Sequence, residues 1–122
     1  MLDDNQSAQT KAERYARNMI YPGGRLYMTR YQDRDVGEIY VAIGKGEVVV
    51  DRFGREPCLG ELVPTETTLI KDVWRGIWWG TIDGKERGTR INCIAGDWSV
   101  DKALDDAIKY GIETLKSMKH DG

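Results

Sequence analysis

The residues best suited to holding a partner molecule lie close together in the second half of the chain. Residues 74–79 read Trp-Arg-Gly-Ile-Trp-Trp, and further arginines follow at positions 87 and 90. Tryptophan and arginine dominate the binding energy of protein interfaces, and indole faces beside guanidinium groups also suit a stacked base with its phosphate. We therefore expect a partner- or ligand-binding surface that is formed by Trp74, Arg75, Trp78, Arg87 and Arg90.

The same run is also compatible with a purely structural role. Between residues 67 and 82 apolar side chains occupy both alternating sets of positions, whereas a strand with one solvated face is apolar on one set only. The two sets are Leu69, Val73, Ile77 and Trp79 on one parity and Ile70, Trp74, Trp78 and Ile82 on the other. Both faces of the sheet therefore need cover here, and the strand is either core or contact surface.

Other residues that could perform chemistry lack suitable neighbours. The single histidine, His120, is two residues from the C-terminus, where a chain rarely holds a general base in place. Cys58 and Cys93 form no Cys-x-x-Cys pair, which disfavours zinc and thiol redox chemistry. Asp105 and Asp106 stand within a turn of lysines, as on a solvated, ion-paired helix face. We expect no catalytic residue, no metal site and no cofactor.

The composition limits the partners that overall charge could attract. Lys and Arg number 18 against 20 Asp and Glu, a formal charge of −2, so nucleic acid or a membrane would need a local basic patch. A chain of 122 residues fits one domain, with residues 1–6 and 119–122 expected to be frayed. We find no secretory signal and no apolar run of transmembrane length, which predicts a cytoplasmic protein without membrane contact.

An N-terminal helix that begins at Ser7 or Thr10 and runs to Ile20 is predicted from apolar residues at helical spacing. Its opposite face is basic and forms a possible secondary contact surface of Lys11, Arg14 and Arg17. A C-terminal helix is predicted to start at Ser99, which has the side chain of an N-cap residue. Its apolar stripe should contain Val100, Leu104, Ala107, Ile108, Gly111, Leu115 and Met118.

Between the helices, alternation and β-branched content predict strands at residues 25–31, 38–43, 47–53, 67–82 and 89–95. A short edge strand at residues 59–63 would be the sixth. Gly44-Lys45-Gly46 is interpreted as a tight hairpin, Gly76 as a bulge or turn within the fourth strand, and Asp83-Gly84 as the turn before the last strand. The expected fold is α+β, with the C-terminal helix packed on a mainly antiparallel sheet of five or six strands.

Residues 93–108 read Cys-Ile-Ala-Gly-Asp-Trp-Ser-Val-Asp-Lys-Ala-Leu-Asp-Asp-Ala-Ile, a strand, a Gly-Asp turn and an amphipathic helix. This run resembles the strand-to-helix corner of HicB-like antitoxins and covers only the last third of the chain. The proline-containing loop that is typical of that family does not occur here. The resemblance implies an antitoxin-like regulator as one functional alternative.

These observations favour a small non-enzymatic binding protein, of the type that phages and mobile elements use to inhibit or regulate host machinery. A protein partner is the leading expectation. A single-stranded nucleic-acid or nucleotide binder, using the same groups and the basic helix face, is the alternative. Two apolar strand faces with limited helical cover also predict a homo-oligomer, in the simplest case a two-fold dimer.

Overall fold

The elements of the chain follow the order helix, four strands, helix. A computed structural model describes residues 8–56, 65–82, 84–92 and 99–121. The elements are α1 (Ala8–Arg17), β1 (Leu26–Asp33), β2 (Gly37–Asp51), β3 (Thr67–Ile82), β4 (Lys85–Asn92) and α2 (Val100–Asp121). The strands form one antiparallel sheet in the order β1-β2-β3-β4. The α+β class and the N-terminal helix are confirmed.

The predicted count of five or six strands is wrong for the described residues, which form four. Gly44-Lys45-Gly46 is not a hairpin, because β2 runs straight through it and joins two predicted strands into one. The two glycines instead allow residues 19–25, which precede β1, to pass close to β2. A Cβ on Gly44 would lie 2.7 Å from Ile20 Cγ2, and one on Gly46 would lie 2.7 Å from the Met19 carbonyl oxygen. The absence of side chains at these two positions therefore makes room for the α1–β1 connection, and the glycines do not form a turn.

The irregularity of β3 lies at Asp72, and not at Gly76 as the sequence suggested. Opposite the step from Gly46 to Glu47, β3 carries one extra residue, and Asp72 has a φ of 57°. The Asp72 N–H donates to Tyr21 Oη at 3.0 Å, which holds the bulge in place. The extra residue shifts the alternation of β3 by one position. Side chains of the same parity therefore point to one face of the sheet before Asp72 and to the other face after it. Leu69 consequently lies on the opposite face from Val73 and Ile77.

Each face of the sheet is covered by one helix, which meets the need for cover that the sequence indicated. On one face Ala12 and Ala16 of α1 are fully buried against Ala42 and Ile77. Their small side chains let the helix lie close to the sheet. The other face packs against α2 through a larger cluster: Val36, Ile39, Val41, Ile43, Trp74, Trp78, Ile91, Ala103, Ala107 and Leu115. We call these the α1 face and the α2 face.

Helix α2 begins where the sequence predicted. The hydroxyl of Ser99 accepts a hydrogen bond from the Lys102 N–H at 3.2 Å, so Ser99 is confirmed as the N-cap. The apolar stripe is rotated from the predicted one, however. Ala103, Ala107 and Leu115 are fully buried, whereas Leu104 and Ile108 are only partly buried at the margin of the core. The Met118 side chain is outside the described set.

Several expectations fall on residues that the structure does not describe. The edge strand at residues 59–63, both cysteines, the frayed N-terminus and the first six residues of the antitoxin-like run all lie outside the described ranges. In the described part, the turn before β4 contains Gly84 at a φ of 78°, which suits a hairpin, and β4 begins at Lys85 rather than Thr89. Neither described helix is long and apolar enough to cross a membrane.

Candidate partner-binding surface

Two residues of the predicted contact surface, Trp74 and Trp78, lie in the core. Their relative exposures are 3% and 0%, and both belong to the α2-face cluster. Neither indole N–H meets an acceptor among the described residues, so both rings act there as apolar filling. A partner would not reach either ring in this fold. The tryptophan strand is core at these two positions, which leaves the arginines and Trp79 for a surface site.

Arg75 and Arg90 come together on the α1 face, as expected for parts of one site. Both guanidinium groups bind the same carboxylate oxygen, Glu56 Oε1, at 2.9 Å and 3.3 Å respectively. Arg75 also donates to the Glu47 carbonyl oxygen at 2.9 Å. The Arg75 side chain is 15% exposed and that of Arg90 is 43% exposed. Arg75 is therefore largely enclosed and holds Glu56 and the β2 backbone together, whereas the Arg90 side chain is accessible from solvent.

An aromatic stack lies on the same face, four residues along β3 from Arg75. The rings of Tyr15 on α1 and Trp79 on β3 are stacked, with centroids 5.2 Å apart and planes 13° from parallel. Gly88 lies opposite Trp79 in the β3–β4 register, and a Cβ on Gly88 would collide with the indole ring. Because residue 88 is glycine, the Trp79 indole ring can lie directly over β4 at this position. Tyr15 is 40% exposed, so the outer part of the stack reaches solvent.

An ion pair borders this stack. Lys11 Nζ lies 2.5 Å from Glu86 Oε2 and connects α1 to β4. The hydrogen bond from Lys11 is the main cause that lowers the pKa of Glu86, although partial desolvation opposes it. Glu86 is therefore ionised at neutral pH. The pair keeps Lys11 from acting as a free cation and adds a second carboxylate to the surface.

The remaining predicted residues do not join this group. Arg87 is exposed, but it lies opposite Gly80, whose absent Cβ would face Leu115 of α2. Arg87 is therefore on the α2 face, because residues directly opposite each other on adjacent strands lie on the same side of the sheet. On α1, Arg14 lies over the Tyr15 ring at 5.4 Å and Arg17 donates to the Gly24 carbonyl oxygen at 3.3 Å. Both arginines are exposed.

The structure thus defines an arginine–aromatic patch on the α1 face. Its members are Lys11, Tyr15, Glu56, Arg75, Trp79, Glu86 and Arg90. Sequence reasoning missed Tyr15 and Glu56 as surface groups and did not single out Trp79. No sequence pattern near Glu56 indicates its role, because its two partners, Arg75 and Arg90, lie on β3 and β4. Tyr15 carries no distinct signal either, because an aromatic residue at helical spacing is also typical of the side of a helix that packs on a core.

A second surface feature is the turn that follows β2. The Asp51 Oδ1 atom accepts the N–H groups of Phe53 at 2.8 Å and Arg55 at 2.9 Å, and Asp51 Oδ2 is 3.4 Å from Arg55 Nε. Gly54 has a φ of 80°, which glycine adopts without strain. This ordered turn holds Phe53, the only phenylalanine of the chain, at 66% exposure. The available sequence signal was an apolar residue between two arginines at the end of the strand predicted over residues 47–53.

We expect the turn after β2 to depend on pH. The backbone hydrogen bond from Arg55 holds the pKa of Asp51 below its ordinary value of 3.8, against a smaller opposing effect of desolvation. A lowered pKa means that the stabilisation is present above the ordinary value and is lost as pH falls through the lowered one. The amide resonances of Phe53 and Arg55 should therefore move only below about pH 4 in an NMR titration.

One variant and one reference residue control this titration. Asp51→Ala should show loosened Phe53 and Arg55 amides already at pH 7, and no further transition at those amides on acidification. The amide of Val41, in the centre of the sheet, reports whether the whole domain is still folded. Unchanged Phe53 and Arg55 resonances down to pH 2 in the wild-type protein would contradict the assigned role of Asp51.

A third polar group lies on the β1 side of the α1 face. The Tyr40 hydroxyl donates to the Glu38 carboxylate, and that hydrogen bond is the main cause that raises the pKa of Tyr40. The phenol is therefore protonated at neutral pH and is unsuited to act as a base. In the described ranges, no three His, Cys, Asp or Glu side chains are grouped closely enough to hold a metal ion.

The fold and this geometry define the class of the protein as a small three-layer α+β protein with an arginine–aromatic patch on one face. No protein-family model, curated protein or solved structure matches the chain significantly.

Proposed function

We propose that this protein is a non-enzymatic binding protein that inhibits or regulates a protein partner through the arginine–aromatic patch. The observation that carries the proposal is the shared Glu56, which holds Arg75 and Arg90 on the sheet face that also carries the stacked rings of Tyr15 and Trp79. Side chains that are held in place before binding lose less conformational entropy when a partner arrives. Arginine and aromatic groups are also those that contribute most to binding energy at protein interfaces.

The mixed charge of the patch favours a protein partner over nucleic acid. Three cationic side chains, Lys11, Arg75 and Arg90, each bind a carboxylate of the protein itself. Glu56 and Glu86 would repel a phosphate backbone, whereas the charged groups of a protein surface can complement both signs. The exposed edge of Tyr15 supplies an apolar contact in the same area. These features together suit a patchy, polar protein interface.

A nucleic-acid partner is the second candidate, and one observation favours it. Arg14 and Arg17 are exposed on α1 on either side of the half-exposed Tyr15, which gives the helix a basic outer face. Affinity for single-stranded nucleic acid would fall steeply with added salt, because bound phosphates release counterions. Affinity for a protein partner held by arginine and aromatic contacts should fall much less. A salt series therefore separates the two candidates.

We expect Arg90→Ala to weaken partner binding by about fivefold or more, the effect of losing roughly 1 kcal/mol at an interface hot spot. Native mass spectrometry of the protein purified from its own host would first identify the retained partner. The affinities of wild type and variants for that partner would then be measured by calorimetry. Arg90 is partly exposed, so the variant should remain folded.

The chain offers a matched control for Arg90. Arg87 is an exposed arginine of the same strand, but it lies on the α2 face. Arg87→Ala should therefore bind like the wild type. A folded Arg90→Ala variant with wild-type affinity, or a larger loss in Arg87→Ala, would contradict the assignment of the α1 face. Tyr15→Ala should weaken binding as well, since the exposed ring belongs to the same patch.

A further inference from the structure

In the described residues of β2, β3 and the turn that follows β2, the largest exposed apolar side chains lie at one end of the sheet. β1 pairs only with residues 37–44 of β2, and β4 pairs only with residues 75–82 of β3. Residues 45–51 and 67–74 therefore extend beyond both outer strands as a two-stranded ribbon in the described part of the chain. Phe53 at its tip is 66% exposed, and Leu69 on the ribbon is 48% exposed.

The tip of the ribbon presents both signs of charge around this apolar group. A shallow depression beside the Phe53 ring is lined by Asp51, Arg52, Phe53, Thr65 and Glu66. The guanidinium groups of Arg52 and Arg55 lie 4.8 Å and 5.4 Å from the centre of the Phe53 ring. Arg55 is paired with Asp51, which leaves Arg52 and Glu66 as exposed charges of opposite sign beside the same depression.

We infer that the ribbon tip is the contact surface between two copies of this chain. In a two-fold interface the same patch meets itself, so it must contain an apolar centre and charges of both signs. The ribbon tip has this composition. The Phe53 ring of each copy would fill the depression of the other, and Arg52 of each copy would pair with Glu66 of the other. The turn is already ordered by Asp51, so little conformational entropy is lost on association.

The charge balance favours a second copy over an occupant that carries one sign of charge. A strongly acidic partner would be repelled by Asp51 and Glu66, and a phosphate backbone would meet the same two carboxylates. A second copy complements both signs at once. This surface shares no residue with the arginine–aromatic patch, so the inference does not rest on the proposed function. The contact area of a tip is small, and we expect a reversible monomer–dimer equilibrium rather than an obligate dimer.

A charge-reversal experiment on the full chain tests the inference. Sedimentation equilibrium should show a wild-type mass that rises towards two chains as the concentration increases. Arg52→Glu places two carboxylates opposite each other, and Glu66→Arg places two guanidinium groups opposite each other. Each single variant should therefore associate about tenfold more weakly than the wild type. An equimolar mixture of the two variants should recover association, because each unlike pair is restored in the mixed dimer.

Two alanine variants complete the test. Phe53→Ala should weaken association about tenfold, as loss of a central aromatic contact usually does. Tyr110→Ala removes a ring of 46% exposure from α2 and should leave association unchanged. Circular dichroism confirms that each variant is folded. A strictly monomeric wild type at high micromolar concentration, unaffected association in Phe53→Ala, or no recovery in the mixture of charge variants would overturn the inference.

Discussion

Replacing Trp78 by alanine should lower the free energy of unfolding by about 3 to 5 kcal/mol, the usual cost of removing a fully buried tryptophan side chain. Trp78 is 0% exposed and lies opposite Val41 in the centre of the sheet. Helix α2 reaches the ring through Gly111, where a Cβ would lie 3.2 Å from the indole. The helix and the sheet therefore meet at this ring, and its loss leaves a cavity between them.

Urea unfolding measures this effect. The matched control is Tyr110→Ala, because Tyr110 is a large aromatic residue adjacent to Gly111 in α2 but is 46% exposed. That substitution should cost about 0.5 kcal/mol or less, apart from a small change in helix propensity. Similar losses for the two variants would mean that Trp78 is not the central contact between α2 and the sheet.

Leu115→Ala should be the most costly leucine substitution in α2, with a loss of about 2 to 5 kcal/mol. Leu115 is 0% exposed and packs in the α2-face core, close to the position that a Cβ on Gly80 would occupy. The apolar stripe predicted from the sequence would have made Leu104 equally important. The structure places Leu104 at the margin of the core, so Leu104→Ala should cost less than Leu115→Ala.

The comparison is made by thermal and urea unfolding of the single variants. Asp106→Ala serves as the reference for a surface change in the same helix. Its carboxylate is 3.3 Å from Lys102 Nζ in an exposed (i, i+4) pair, which contributes little to stability. Leu104 and Leu115 are separated by about three helical turns and share one side of α2. A greater loss in Leu104→Ala than in Leu115→Ala would therefore show that the N-terminal half of α2, and not its C-terminal half, packs more closely against the sheet.

Features that depend on neighbouring residues in the chain could be predicted from the sequence. The two helices follow from apolar residues at helical spacing, and the Ser99 N-cap follows from a hydroxyl placed before the first turn. Antiparallel strands joined in sequence order follow from alternation and turn signals. These features need only local hydrogen bonds and periodic burial, which the order of the residues already specifies.

Features that depend on distant residues were decided by the tertiary structure. Gly44 and Gly46 have the composition of a turn, yet residues 19–25 pass so close to them that side chains would not fit, and the strand continues. The bulge at Asp72 moves Leu69 to the other face of the sheet, an exchange that no local pattern indicates.

The arginine–aromatic patch also combines features that the sequence predicts with features that only the tertiary structure decides. The sequence predicted that Arg87 and Arg90 belong to one surface. They lie on opposite faces of the sheet, because they are three residues apart on the same strand. Trp74 and Trp78 are suited by residue type to binding, and α2 covers them. Glu56 joins two arginines of other strands only once the chain has folded. The sequence therefore determined which groups exist, whereas long-range packing determined which of them reach solvent together.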